Sequence, residues 1–317
     1  MQYRRLGSSG LKVSEIGLGS WLTYGTVTEQ QQAMICVKQA YDLGVNHFDC
    51  ANVYGATPHA AEKVLGDALA AYPRDSFVLT TKAFWPVGDG PNDRGLSRKH
   101  IFSEIDKSLQ SLKVDYVDIF YCHRFDPDTD LEETVRALDD LVVQGKVLYA
   151  GLSEWQPAQI AHGIEIQKSL GLHKFAASQP VYNLLTRYIE HAVLPLCDQA
   201  GIGQVVFSPL AQGVLTGKYH KGEALPEGSR ATDENVGHFV QRYLQDEVLD
   251  KVERLFGLAQ ESGLSLTQMA LAWVLRQQSV ASALVGASRP EQVMENVKAS
   301  GVKLEADLLQ KIEEVLA

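Results

Sequence analysis

The feature that most constrains this chain is an alternation: eight short β-branched or aromatic runs separated by segments of helical period. The runs are Glu15–Leu18, Val45–Asp49, Ser76–Lys82, Tyr116–His123, Val147–Leu152, Ala176–Pro180, Gln204–Ser208 and Ala281–Val285. They are continuously apolar, as parallel strands covered by helices should be. Between them, Ile101, Ile105, Leu109 and Leu112 fall on one helical face. So do Leu131, Val135, Leu138 and Val142, and again Val248, Val252, Leu255 and Ala259. Capping-box pairs mark helix starts at Thr28/Gln31, Thr129/Glu132, Ser265/Gln268 and Ser288/Glu291. Eight strand–helix units in 317 residues predict an α/β fold, the closed (β/α)8 TIM barrel. Alternation alone also admits an open doubly wound sheet.

Two segments stand outside the alternation. Tyr3–Leu6 and Leu11–Val13 flank Gly7-Ser8-Ser9-Gly10 and predict a hairpin, placed as a lid on the amino end of the barrel. The stretch from Pro209 to about Asp246, after the seventh strand, is long, Gly-rich and polar, which inside a compact domain points to function. No repeat and no linker divides the chain, so residues 1–317 are expected to form one domain.

Charge narrows the partners. Lys and Arg number 29 against 39 Asp and Glu, a formal charge of -10, which argues against a nucleic-acid partner. No apolar run approaches the roughly 20 residues that cross a bilayer, and no apolar stretch follows Arg4 and Arg5 as in a secretory signal. Cys36, Cys50, Cys122 and Cys197 are far apart and read as reduced thiols, so a cytoplasmic location without membrane insertion is expected.

In such a barrel the active site lies at the carboxyl ends of the strands. The second run ends in Asp49 and leads to Tyr54, the third ends in Lys82 and the fourth in His123. Singly, these are a turn former, a half-buried aromatic, a solvated lysine and a loop histidine. Together at one end they suit proton donation to a carbonyl oxygen. Tyr54 is the acid; Lys82 lowers the phenol's pKa; Asp49 keeps the lysine charged; His123 orients the carbonyl. Nothing here supplies electrons, so a reduction needs a cofactor. His47 and Asp49 share a strand face, but the strands that would complete a metal site end in Ser153, Gln179 and Gly286. No metal is predicted.

Gly17-Leu18-Gly19-Ser20-Trp21-Leu22 lacks the third glycine of a Rossmann fingerprint, and Gly213 to Tyr219 is too short for a P-loop. Ser208 to Gly213, with Thr216, Gly217 and Lys218, offers amides, hydroxyls and an ammonium suited to a pyrophosphate. Ser288-Arg289 makes a second anion site, and Phe207 could stack on a flat ring.

These residues carry a resemblance. Gly44 to Gly55 (GVNHFDCANVYG), Leu79-Thr80-Thr81-Lys82, Tyr121-Cys122-His123, Gly151-Leu152-Ser153, Ser178 to Asn183 and Leu284 to Ser288 resemble, in order, the aldo-keto reductase superfamily. The chain is most similar to the branch related to voltage-gated potassium channel β-subunits. The resemblance implies NADPH-dependent reduction of aldehydes or ketones, with Asp49, Tyr54, Lys82 and His123 as the catalytic tetrad. Nicotinamide contacts then fall on Ser153, Gln179 and Phe207, and the pyrophosphate loop on Ser208, Leu210, Gly213 and Lys218. Adenosine-phosphate contacts fall on Arg230, Ser288, Gln292, Glu295 and Asn296, and Gly286 belongs to the same cofactor signature. Ser20 and Trp21 lie near the cofactor, and Trp21, Tyr54, Trp85 and His123 would line the substrate pocket.

The sequence also departs from that pattern. Glu154 follows Ser153 where many reductases have asparagine, and Gln292 stands where many place an arginine. Arg289 and Arg230 supply positive charge instead, so NADPH is favoured over NADH. His123 occupies a slot that channel β-subunits fill with asparagine, which favours an enzyme over a cofactor-sensing accessory subunit of a membrane channel or other partner. A small carbonyl compound is the expected ligand, and a homo-oligomer is implied by the resemblance alone.

Overall fold

Eight strands pair in parallel, in chain order, and the last returns to the first. In the computed structural model, which describes all residues except 26, 27, 29 and 235, they run β3 (Ile16–Gly19), β4 (His47–Asp49), β5 (Val78–Ala83) and β6 (Val117–Cys122). Then follow β7 (Val147–Ser153), β8 (Phe175–Gln179), β9 (Gly203–Phe207) and β10 (Val280–Val285). Strand β10 pairs with β9 on one side and with β3 on the other, Ala283 opposite Ile16 and Val285 opposite Leu18. The sheet is therefore a closed barrel, the predicted architecture, and the open sheet is ruled out. Each strand begins and ends within two residues of its expected run. The largest differences, two residues each, are at Val45, ahead of β4, and at Ser76, which ends a single 3-10 turn (Arg74–Ser76) ahead of β5.

Helices clothe the outside. They are α1 (Gln30–Asp42), α2 (Ala60–Leu69), α3 (Arg98–Leu112), α4 (Leu131–Val143), α5 (Pro157–Leu170) and α6 (Val193–Ala200). After β9 come α7 (Asp246–Glu261) and α8 (Leu266–Leu275), and after β10 come α9 (Pro290–Val297) and α10 (Ala306–Leu316). The apolar stripes act as expected: Ile101, Ile105 and Leu112 on α3, and Leu131, Val135 and Leu138 on α4, are buried against the strands. Among the described residues, no helix is long and apolar enough to cross a membrane, and all four cysteines are free and buried.

Helix starts were only partly as expected. Ser265 and Gln268 form the predicted reciprocal capping box. At α4 the cap is Asp130, whose carboxylate accepts from the Glu132 amide, while the Thr129 hydroxyl donates to Asp126. At α9 the capping position is Arg289, and Ser288 instead donates from both its amide and its hydroxyl to Gln292 Oε1. A nearer acceptor captured each hydroxyl. Residue 29, directly before α1, lies outside the described set; Thr28 and Gln31 do not, and the buried Thr28 hydroxyl has no hydrogen-bond partner, so the expected Thr28/Gln31 box is not formed.

The hairpin forms as β1 (Tyr3–Arg5) and β2 (Lys12–Ser14), with Arg4 opposite Val13. It plugs the amino end of the barrel. Leu6 and Val13 are fully buried against Val78, Ile119, Val205 and Ala281. Arg4 fastens it by donating to Glu15 (2.7 Å) and to the carbonyl of Val280 (2.9 Å). The segment from Pro209 holds four 3-10 turns, Ala211–Thr216, Arg230–Thr232, Gly237–Phe239 and Gln241–Tyr243. It reaches the barrel mouth, where the Phe239 ring meets Trp21 edge-on at 5.1 Å.

Inside the barrel, Gly151 on β7 gives room to the buried Tyr121 ring. A Cβ there would come within 2.5 Å of two ring carbons. Gly151→Ala should therefore overpack the interior and lower unfolding free energy by about 1–3 kcal/mol, read as a reduced urea midpoint.

Candidate active site

The strand register assembles the site. Asp49 lies opposite Thr80, and Lys82 opposite Tyr121, so inward-facing side chains from β4, β5 and β6 converge at the carboxyl end. Lys82 Nζ donates to Asp49 Oδ2 at 2.6 Å and to the Cys50 carbonyl at 2.8 Å. The other Asp49 oxygen accepts from Thr80 Oγ1 (2.6 Å) and Gln179 Nε2 (2.9 Å). Lys82 is wholly buried and Asp49 nearly so. The half-buried Tyr54 ring sits 4.9 Å from Lys82 Nζ, and its hydroxyl is 3.3 Å from His123 Nε2. All four residues thus meet around one point.

Their electrostatics follow from burial. Desolvation pushes Lys82 down from the ordinary lysine range, and Asp49 opposes the shift. Desolvation also holds His123 well below an ordinary imidazole, helped by the positive charges of Lys82 and Arg124, so the ring is neutral at pH 7. The expectation that Lys82 lowers the phenol's pKa does not hold in this arrangement. Burial, then the Asp49 charge, pushes Tyr54 up. Burial outweighs whatever stabilisation of the phenolate the ammonium gives. Tyr54 is a fully protonated donor.

Around this point lie the predicted mouth residues. Trp21 contacts Tyr54 (6.4 Å between centroids), Phe207 (5.9 Å) and Phe239. Ser20 is buried and donates from amide and hydroxyl to the Asp49 carbonyl, while Trp85 is exposed, 6.4 Å from the His123 ring. Ser153 Oγ donates to the Gln179 carbonyl. A Cβ on Gly286 would approach Thr23 Oγ1 to 3.1 Å.

Beyond them, Ser208, Ala211 and Gln212 adopt left-handed φ values of 51°, 46° and 60°, and Gly213 has 94°. Three non-glycine residues so close together in that region mark a built loop. Leu210 accepts from the Gly213 amide, and a Cβ on Gly213 would lie 3.4 Å from Lys218 Nζ, so glycine leaves the ammonium against the loop backbone. Arg230 was expected at the adenosine end; its guanidinium donates to Gln212 Oε1, and Gln212 in turn donates to Ser208 Oγ at 2.7 Å. Ser288 and Gln292 are joined on α9, with buried Asn296 one turn on. The Glu295 carboxylate faces the start of α8, accepting from Ser265 (2.5 Å) and Gln268 (2.9 Å).

Comparison with known proteins agrees with this geometry. Residues 15–317 match the model of the aldo/keto reductase family. The chain belongs to that family. It is 44% identical over its full length, and 97% of the relative's, to a probable voltage-gated potassium channel subunit beta of Arabidopsis thaliana. It is 42% identical to a putative voltage-gated potassium channel subunit beta of Schizosaccharomyces pombe, covering 99% of this chain and 93% of the relative. An L-glyceraldehyde 3-phosphate reductase of Escherichia coli K12 is 40% identical over 94% of this chain and 87% of its own. This aldo/keto reductase is thus an oxidoreductase, from a family that reduces carbonyl groups and generally uses a nicotinamide cofactor.

The candidate site rests on a buried ion cluster that no sequence pattern indicates. The loop carrying Tyr54 is held by Asn52, whose amide donates to the Lys82 carbonyl and whose side chain donates to Glu104 at 2.7 Å. His59, in a left-handed conformation (φ 65°), bridges buried Glu62 (2.6 Å) and Glu104 (3.3 Å). Thr81, next to Lys82, donates to Glu62. No spacing advertises this cluster, because its members sit on a loop and on α2, α3 and β5. Among the described residues, no three His, Cys, Asp or Glu side chains are grouped to hold a metal.

Two outcomes follow. Lys82→Met strands the Asp49 carboxylate in the barrel and should cost about 3–5 kcal/mol in urea unfolding, of which the Asp49→Asn/Lys82→Met double variant recovers a large part. His59 is raised to about 9: burial opposes its charge, but the hydrogen bonds and charges of both glutamates outweigh burial. Glu104 is lowered to about 2, its bonds to His59, Lys107 and Asn52 outweighing burial. The His59 contribution is complete below the unfolded imidazole value near 6.5 and is lost as pH rises through about 9. The Glu104 contribution is complete above about 4.5 and fades as pH falls towards 2. Stability measured from pH 6 to pH 10 should decline across that window, and His59→Gln should flatten the decline.

Proposed function

We propose that this reductase converts an aldehyde or ketone to an alcohol with NADPH, residues 1–317 acting as one catalytic domain. The observation that carries the proposal is the Tyr54 hydroxyl, protonated, 3.3 Å from a neutral His123 and beside the Lys82–Asp49 pair. Bound NADPH supplies the hydride. Tyr54 donates its proton to the carbonyl oxygen as negative charge develops there, and His123 orients that oxygen through Nε2. Lys82 steadies the phenolate that remains, and Asp49 keeps the ammonium charged in a site where burial would neutralise it.

The residues present fit the cofactor. Ser153 and Gln179 suit the carboxamide, and Phe207, on the rim and in contact with Trp21, suits the ring face. The left-handed loop of Ser208 to Gly213, with Lys218 against it and Arg230 tied to Gln212, suits a pyrophosphate. Ser288, Gln292 and Asn296 suit the adenosine phosphate, with Arg289 at the start of α9, and these arginines support NADPH over NADH. Tyr54→Phe should keep NADPH affinity, measured by fluorescence titration, and lose turnover by about 10²- to 10⁴-fold. Full activity in that variant would end the proposal. In wild type, kcat/KM should be higher with NADPH than with NADH.

A second reading has support from the names of relatives. Proteins 44% and 42% identical to the chain are called potassium channel beta subunits. A cofactor-sensing accessory role would appear as co-purification with a membrane protein alongside negligible carbonyl turnover.

A further inference from the structure

Arg124 stands immediately after His123, and the reaction proposed above makes no use of it. One guanidinium nitrogen donates to the carbonyl of His123 at 2.6 Å, and the guanidinium carbon lies 5.5 Å from the centroid of Trp85. Trp85 is in turn 6.4 Å from the His123 ring, and His123 is at hydrogen-bond distance from Tyr54. The cation is therefore held beside His123 by a backbone carbonyl and an aromatic face.

What it lacks is an anion. Six of the other twelve arginines are ion-paired: Arg4 with Glu15, Arg74 with Asp118, Arg98 with Asp140, Arg136 with Glu132, Arg187 and Arg276 with Glu190. Among the described residues, no carboxylate lies within ion-pair distance of half-buried Arg124. The carboxylates near these strand ends are committed elsewhere. Asp49 serves Lys82, Thr80 and Gln179, and Glu154 accepts from the Val181 amide (2.6 Å) and Tyr188 (2.9 Å). Asp126 accepts from Leu96, Asp128 and Thr129. A guanidinium carries five donors in a planar fork that matches carboxylate and phosphate oxygens, and only one is used here. The positive field is felt by the site, since Arg124 helps depress His123 and draws Tyr54 partly downward against its burial. In a chain of net charge -10, such a field beside His123 is a local exception.

We propose that Arg124, backed by Trp85, binds an anionic group carried by the carbonyl substrate, so that the preferred substrate is an aldehyde or ketone bearing a carboxylate or phosphate. The inference rests on the reductase reading and deepens it by naming the substrate class. The test compares pairs that share the carbonyl end and differ in the charged group, with NADPH: succinic semialdehyde against butyraldehyde, and glyceraldehyde 3-phosphate against glyceraldehyde. A charge-assisted bidentate contact corresponds to a preference of about 10- to 100-fold in kcat/KM for the charged member of at least one pair. The pair with the larger ratio tells carboxylate from phosphate. In Arg124→Gln that ratio should fall to near unity, with Arg124→Lys intermediate. Because a ratio is read, general damage to the fold cancels. Calorimetric titration of the protein, with NADP+ present, with 4-hydroxybutyrate and glycerol 3-phosphate gives an arm independent of turnover; Arg124→Gln should weaken the tighter of the two by about tenfold or more. Equal ratios in wild type and Arg124→Gln, or anion binding that the substitution leaves alone, overturn the inference while leaving the reductase reading intact. If no aldehyde is reduced at all, it is that reading which falls, and the calorimetric arm alone decides for or against an anion site at Arg124.

Discussion

A lysine sealed inside a protein has to be answered by charge and by hydrogen bonds, and at Lys82 both come from the same short loop end. Asp49 supplies the countercharge and Cys50 the carbonyl, while Thr80 and Gln179 occupy the remaining carboxylate oxygen. An unpaired charge at that depth would be intolerable, so the three strand ends that contribute these groups, β4, β5 and β8, are tied to one another. Barrel closure makes the arrangement feasible. With β10 returned to β3 there is no sheet edge, and the carboxyl ends of all eight strands face one another across a narrow mouth. The hairpin seals the opposite end with Leu6 and Val13, which leaves this mouth as the open end of the barrel.

The same burial sets the protonation states. His123 is neutral and Tyr54 is protonated because water is scarce around them, not because a neighbouring cation dominates. Burial outweighs the stabilisation that the Lys82 ammonium gives a phenolate, so Tyr54 stands as a protonated donor. Arg124 differs from Lys82 in having no carboxylate partner among the described residues, and its charge reaches His123 and Tyr54. One cation is internal and balanced, the other peripheral and unbalanced, and the proposed division of labour between proton transfer and substrate recognition follows from that difference.

Much of this was legible beforehand. Continuous apolar runs announced covered parallel strands, and their number announced closure; Asp49, Tyr54, Lys82 and His123 could be picked out because each ends, or just follows, a run. Errors arose where two local partners competed. Thr129 and Ser288 have capping chemistry, but Asp126 and Gln292 were closer than the helix amides, and Asp130 and Arg289 took the caps. The resemblance alone places Arg230 at the adenosine phosphate, while its reach to Gln212 depends on how the 3-10 turns after β9 fold back. The cluster of His59, Glu62 and Glu104 was invisible, since a histidine in left-handed backbone and two glutamates on separate helices share no sequence period.

By itself, then, the order of residues determined which segments become strands and helices and which side chains arrive at the strand ends, because hydrophobic period and turn chemistry act over a few neighbouring residues. Only the tertiary structure decided which charges cancel and which do not. Whether Lys82 is neutralised, Tyr54 stays protonated, His59 stays charged or Arg124 is left without a carboxylate depends on distances of a few ångströms between segments tens of residues apart. Electrostatic energy varies steeply with such distances and with exclusion of water, and neither can be read along a chain.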